Sequence, residues 1–453
     1  MPVGWRKRSA RNAWDDGSEA GATMINRAVP ASPSAVDVLV IGAGPAGSVA
    51  AAMVHKTGLS VAVVEREQFP RFVIGESLLP RCMEVLQDAG LLDCIKAKGF
   101  QEKFGAKFIK GDAVSDFNFS EQFTDGWKWT WQVPRAEFDL ALIEEVARRG
   151  VPVAFRTTVQ AIDFHADESS TTTIERPDGS IATINAKFII DASGYGRVIP
   201  RLRGLDRPST LEPRKAVFAH MQDPKRLAFD EPNRIVILCM APGVWVWVIP
   251  FSNGITSVGI VGAIEYFDQF GESVTEQFRG LLGAHPYLAG RFADQPHVWE
   301  PKSLQAWSAT TDTFFGPGFV LTGNVTEFLD PIFSSGVMFA TVSSHLASGL
   351  VIDKLAGKAV DWQQQYTKVV QQGVDTFRTY VNRWYDGTLE TLFFAKEPNL
   401  DIQRKICSVL AGYVWDTSNP FVANHDAEVA RVARIVKILE RGAGRDAANS
   451  VAG

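Results

Sequence analysis

The sequence predicts an α/β fold, in which a Rossmann-type three-layer dinucleotide-binding domain carries an antiparallel-sheet substrate domain and a C-terminal helical region. Three observations carry this prediction. Residues 36–80 read as a strand, a glycine turn, a helix and a second strand. From about residue 214 the pattern changes to short alternating strands rich in aromatics. From residue 361 the chain reads as helices with charged and aromatic faces.

At 453 residues the chain can close several layers around a sizeable core. Residues 1–35 are polar and rich in Ala, Ser and Gly, and lack the apolar segment of a signal peptide. They are expected to be a disordered extension, with Met24 as the natural start. Residues 36–385 form the expected core. Its dinucleotide-binding parts cover 36–110, 135–210 and 300–360, and its substrate sheet covers 111–134 and 211–299. Residues 386–453 are the helical region, fraying from Gly442.

A hydrophobic content of 46% and a charged content of 21% are ordinary for a globular protein, and the net charge of −5 gives no sign of a nucleic-acid surface. The four cysteines are scattered without a CxxC pair, which argues against zinc and a disulfide framework and for a reducing, cytoplasmic setting. No apolar run approaches the length of a transmembrane segment. Twelve Trp and 29 Phe suit a pocket for flat organic molecules, although most are better assigned to an aromatic core.

In the glycine turn, Gly42 permits the tight bend, Gly44 lets the backbone approach a pyrophosphate, and Gly47 lets helix and strand pack closely. The following helix offers free N–H groups and a positive dipole end to the phosphates. Glu65 ends the second strand 18 residues past Gly47, near the spacing of an acid that holds a ribose hydroxyl. A Pro-bounded loop follows. In it Arg71 is placed to meet a phosphate or adenine edge, and Gly75 and Glu76 to pass near a flat ring.

Residues 102–110 alternate like one strand, which puts Lys103 and Lys107 on the same face and Lys110 on the other. By composition alone such lysines are a solvated strand edge, and one at most is a desolvated donor. Arg135 and Asp139 open a helix after the aromatic segment 127–131; Arg135 can reach a phosphate or ring edge, and Asp139 suits the first turn. A second apolar strand ends at Asp191 with Gly194 in the turn, another point where backbone can approach a cofactor.

In the later sheet Trp245 and Trp247 share one strand face, as core residues or as a pocket wall. The chain then returns to a strand ending at Gly323 and Asn324. Ser334, Ser335 and Gly336 follow at a helix start, where consecutive N–H groups suit a small anion or a flavin edge.

With these residues in view, the chain resembles the flavoprotein monooxygenase fold and, within it, the flavin-dependent halogenases. Two FAD fingerprints match at Gly42/Gly44/Gly47/Glu65 and Asp191/Gly194, and a third matches imperfectly at Gly323/Asn324. The halogenase-type marks are the Gly75-Glu76 loop, Trp245-x-Trp247-x-Ile249-Pro250, and Asp330-Pro331 followed by Ser334-Ser335-Gly336. The resemblance runs from residue 36 to about residue 420 and extends the FAD contacts to Pro45, Ala46, Arg66, Ser77, Pro331 and Val337. It implies that FADH2 reacts with O2 to give a C4a-hydroperoxide, which chloride or bromide, held by the N–H groups of Ser335 and Gly336, converts to hypohalous acid. The tryptophans keep the aromatic substrate off the flavin. A lysine then aims the halogen at the ring; the family's lysine aligns on Lys103, with Lys107 as runner-up.

There are two departures. Where the indole-halogenating branch carries a Glu, this chain has Phe333, so the resemblance points to a phenol or pyrrole, free or bound to an acyl or peptidyl carrier protein. Asn324 stands where an Asp is usual, and still offers a hydrogen bond to a ribityl hydroxyl. No second glycine fingerprint sits in a complete strand–helix–strand unit, so a separate NAD(P)H-dependent reductase is expected to supply FADH2. The rivals are an aromatic hydroxylase or double-bond reductase on the same fold, and a flavoprotein-like scaffold.

Overall fold

The structure, a computed structural model, describes residues 33–451. The apolar runs of the first domain pair in register as parallel strands. Ala35–Ile41 lies between Val61–Val64 and Ile181–Asp191, with Ile41 level with both Val64 and Asp191. Val153–Ala154 and Phe319–Leu321 extend the parallel set at its two sides. Antiparallel strands Thr158–Phe164, Ser170–Glu175 and Phe315–Gly316 complete eight. Strands covered on both faces read as continuous apolar runs, and Val38, Leu39 and Val40 are all fully buried.

One face of this sheet carries the helices Pro45–His55 and Ser335–Leu355. They touch through small residues, and Ser344 Oγ donates to the Ala46 carbonyl at 2.6 Å. The other face closes over Leu39, Ile41, Val64, Ile189 and Leu321. Helix Ser335–Leu355 is long and apolar enough to cross a membrane by length and composition, contrary to the expectation that no run is. Two-thirds of its apolar window is buried inside the protein, as in a core helix.

The second sheet has seven strands, in the order Lys302–Gln305, Arg214–Gln222, Ile255–Ala263, Val244–Pro250, Val236–Ala241, Gly105–Lys110, Ala113–Asn118. All pairs are antiparallel except Val236–Ala241 with Gly105–Lys110. Alternation sorts its residues: Trp245, Trp247 and Ile249 face the main core, while Val244, Val246 and Val248 pack with Phe278, Leu281 and Phe292.

Two expectations change here. Residues 102–110 are not one strand: Gln101–Lys103 pairs with Thr130–Gln132 in a separate small sheet, whereas Gly105–Lys110 joins the seven-stranded one. Strand parity therefore does not carry across Phe104, and Lys103 and Lys107 do not share a sheet face. The strand Gly105–Lys110, expected with the dinucleotide-binding part, lies in the substrate sheet.

The C-terminal region is helical, with Thr388–Phe393, Leu400–Leu410, Pro420–Ala423 and His425–Val451. The last helix continues past Gly442, where a frayed tail was expected. Residues 1–32, with Met24, lie outside the described residues, and the first strand begins at Ala35, inside the predicted extension. Among the described residues no cluster of His, Cys, Asp and Glu could hold a metal ion.

Candidate active site

A cavity of about 1620 Å³ lies between the two sheets, larger than the roughly 300–1,000 Å³ that hold drug-sized ligands. Its floor is the glycine turn. Gly42 has φ of 100°, and a side chain there would lie 2.5 Å from the Ala192 carbonyl oxygen. A side chain at Gly44 would meet only Arg71, at 3.4 Å, so the backbone is bare where it faces the cavity. Pro45 and Ala46 open the helix there without a side-chain cap, leaving first-turn N–H groups for a phosphate. Glu65 lines the same floor; its carboxylate accepts from the N–H groups of Ala43 and Glu67, both at 2.8 Å, which fixes it against the turn. Its remaining lone pairs suit ribose hydroxyls. A bare glycine, an open helix end, a positioned acid and this volume fit FAD.

Arg66, Arg71, Gly75, Glu76, Ser77, Arg135, Gly194, Asn324, Pro331, Gly336 and Val337 also line the cavity. Four other predicted cofactor or halide residues do not. Asp191 is fully buried, and its carboxylate accepts from the N–H groups of Ser193 and Ile199, so it builds the turn that presents Gly194. Gly47 and Gly323 serve packing, and Ser335 is buried, leaving Ser334 and Gly336 at the surface of the cavity. Arg135 is not a free cation. Its guanidinium donates twice to Asp139, at 2.8 and 3.0 Å, and to the carbonyls of Ile74 and Gly75. Asp139 also accepts from Arg71 at 3.1 Å, so this buried carboxylate holds the loop over the cavity from beneath. Glu76 is tied to the second sheet by His220 Nε2 at 2.6 Å.

Trp245 and Trp247, 2% and 7% exposed, form the opposite wall with Ile235, Ile237 and Ile249. Trp247 Nε1 donates to Ser257 Oγ and Trp245 Nε1 to Tyr385 Oη, each at 3.0 Å. Tyr385 in turn donates to Asp330 Oδ2 at 3.1 Å, and burial pushes the Asp330 carboxyl up to about 6. Helix Ser335–Leu355 starts beside this wall with no side-chain cap, after Ser334 in the left-handed region at φ 58°. Two residues singled out in the halogenase resemblance, Phe333 and Pro250, are not on the cavity. Phe333 packs against Phe377, Tyr380 and Trp384 in the aromatic core, and Pro250 sits behind the wall, where its carbonyl accepts from Gln132.

Lys103 lines a separate pocket of about 290 Å³ with Gln132, Asn233 and Arg234; Ile235 lines both compartments. Lys103 is 3% exposed, and its amine donates to the Leu78 carbonyl at 2.8 Å and lies 5.3 Å over the Phe119 ring. Burial draws its ammonium down to about 7. Lys107 is ion-paired with Glu231, and Lys110 with Glu390. Sequence reasoning missed the ties of Glu76 to His220 and of Trp245 to Tyr385 and Asp330. They join residues 55 to 144 positions apart and follow no local period.

A Rossmann-type sheet with this glycine turn and cavity defines an FAD-binding flavoprotein, and the family model described as FAD binding domain matches residues 35–279. The chain is 27% identical over 406 residues to the 1H-pyrrole-2-carbonyl peptidyl-carrier-protein chlorinase of Pseudomonas fluorescens, covering 84% of this chain and 89% of that one. It is 29% identical over 333 residues to the corresponding brominase of Pseudoalteromonas luteoviolacea, covering 73% and 80%. Among solved structures it is similar to a flavoprotein/dehydrogenase from Cytophaga hutchinsonii, with TM-score 0.88 and 52% identity over 90% of this chain and all of that one. The chain belongs to the FAD-binding-domain family, and the curated relatives it is similar to are flavin-dependent halogenases.

Proposed function

We propose that the protein halogenates an electron-rich aromatic ring, a phenol or a pyrrole held on a carrier protein, with FADH2, O2 and chloride or bromide. The observation that carries this reading is Lys103, a buried amine without a carboxylate partner among the described residues, in a pocket that shares Ile235 with the FAD cavity. Bound FADH2 supplies the two electrons that activate O2. The uncapped start of helix Ser335–Leu355 binds the halide through its backbone N–H groups, Gly336 among them. Trp245 and Trp247, on the wall of the FAD cavity, keep the aromatic ring off the flavin. Lys103 in its neutral form, which burial favours, hydrogen-bonds hypohalous acid or condenses with it (RNH2 + HOX → RNHX + H2O), and so aims electrophilic halogen.

Support for the substrate class comes from two sides. Both relatives act on a pyrrole carried by a peptidyl carrier protein. Phe333 is apolar and packed into the core, so it offers no carboxylate to an indole cation, whereas a pyrrole nitrogen or phenol oxygen stabilises its own intermediate. A separate NAD(P)H-dependent reductase supplies FADH2. The test is mass spectrometry of products from the protein with FAD, a flavin reductase, NADH, O2, bromide or chloride, and free or carrier-bound pyrroles and phenols. A halogen isotope pattern that vanishes without halide is expected. The similarity to the flavoprotein/dehydrogenase favours one second reading, a flavin-linked redox reaction in the same cavity, marked by a product that forms regardless of halide.

A further inference from the structure

The small sheet beside Lys103 has an unusual face. Lys103 pairs with Thr130, Gln101 with Gln132, and Ser77 bridges to Gln132 from the cavity loop. Alternate residues share a face, so Ser77, Gln132, Thr130 and Lys103 line up on one side. All four are at most 4% exposed. Such a face is ordinarily apolar or internally hydrogen-bonded. Here Ser77 Oγ, Gln132 Oε1 and Thr130 Oγ1 are all buried without a hydrogen-bond partner among the described residues.

Gln132 is fixed in one orientation. Its Nε2 donates to the carbonyls of Pro250 at 2.5 Å and Asn233 at 3.3 Å, so turning the amide over would lose both bonds and set oxygen against oxygen. Oε1 is thereby held as an acceptor only. The face also joins two compartments, since Ser77 lines the FAD cavity and Gln132 lines the Lys103 pocket.

We propose that Gln132 is a positioning residue that admits a neutral O–H donor to Lys103 and rejects the halide anion, with Ser77 and Thr130 as hydroxyl steps on either side. An acceptor-only oxygen in a dry site attracts the proton of hypohalous acid and repels chloride or bromide. The same oxygen turns the O–H away from the amine and leaves the halogen end towards Nζ. This rests on the assignment of Lys103 as the halogen-delivering amine.

The test uses full-length Gln132→Glu, Gln132→Met and Thr130→Val. First, Lys103 is titrated in the flavin-free protein by NMR after ¹³C-dimethylation, with Lys103→Met identifying its signal. Arg234 and Cys82, the other ionisable groups acting on this amine, are unchanged throughout. Gln132→Glu should raise the Lys103 midpoint by more than about one pH unit, because a carboxylate would then face the amine. An unmoved midpoint overturns the placement of Oε1. Second, halogenated product per FADH2 oxidised should fall about tenfold in Gln132→Met and several-fold in Thr130→Val. The missing oxidising equivalents should appear in solution as hypohalous acid or peroxide. Yields within twofold of the parent in both variants overturn the proposal. Thr130→Val removes a hydroxyl with no hydrogen-bond partner among the described residues, so it keeps the test decisive if the Gln132 variants do not fold. A parent protein that makes no halogenated product overturns the assignment of Lys103 instead, while the titration still decides what Gln132 faces.

Discussion

Burial, opposed in part by Cys82 and reinforced by Arg234, draws the Lys103 ammonium from its ordinary range down to about 7. Between about pH 7 and 10.5 the unfolded chain binds a proton that the folded chain lacks, so stability rises with pH across that window. Below pH 7 the full cost of burying the charge is present. Lys103→Met should therefore stabilise the protein by roughly 2–4 kcal/mol at pH 6 and far less at pH 10.5, read by urea unfolding at both values. An equal effect at the two pH values would mean that the amine is solvated. Asp330 is perturbed in the opposite sense. Its carboxyl is raised to about 6, so the folded chain keeps a proton that the unfolded chain loses above about pH 4, and stability falls as pH rises to about 6. Asp330→Asn keeps Oδ1 as an acceptor for the Ile332 N–H, while its amide N–H takes the place of Oδ2 and would donate to Tyr385 Oη, as the protonated carboxyl can. It should raise Tm by about 2 °C at pH 8 and leave it unchanged at pH 4, as scanning calorimetry would show.

The glycine turn and the cavity loop separate motif from support. Gly44→Val places a side chain where the backbone now faces open cavity, with only Arg71 near. It should weaken FAD binding at least about tenfold while Tm of the flavin-free protein shifts by about 2 °C or less, measured by fluorescence titration and calorimetry. Asp139→Ala, by contrast, leaves Arg71 and Arg135 without their shared buried carboxylate. It should cost roughly 3–5 kcal/mol in urea unfolding as well as FAD affinity. Local elements of this kind were legible in the sequence. The strand–turn–helix unit, the tryptophan strand Val244–Pro250 and the late helix start all follow from short-range pattern and turn chemistry. What pattern did not give was partnership. Asp191 looked like a cofactor ligand because a strand ending in Asp before a Gly turn does not say which way the carboxylate points, and here it points into its own turn. Lys103 and Lys107 looked alike until strand pairing broke the run at Phe104. Phe333 looked like a pocket residue because its aromatic neighbours come from residues 377–384, on a helix whose packing no local period reveals.

Across the described residues, the two large sheets flank the cavity that Trp245 and Trp247 line, and a smaller pocket lined by Lys103 meets it at Ile235. The glycine turn, the cavity loop and the late helix would together hold FAD, so saturating FAD should stabilise the folded chain by about 2.7 kcal/mol at a hundredfold excess over Kd. A urea midpoint that does not move with FAD would contradict the cavity assignment. The central claim is that chemistry begins at bound FADH2 and ends at Lys103 in the smaller pocket. Its most direct measurement is the yield of halogenated product per FADH2 oxidised, compared between the protein and its Lys103→Met variant, with bromide and a carrier-bound pyrrole. The account predicts halogenated pyrrole from the parent and a loss of at least about a hundredfold in the variant. Equal yields from the two proteins would contradict it.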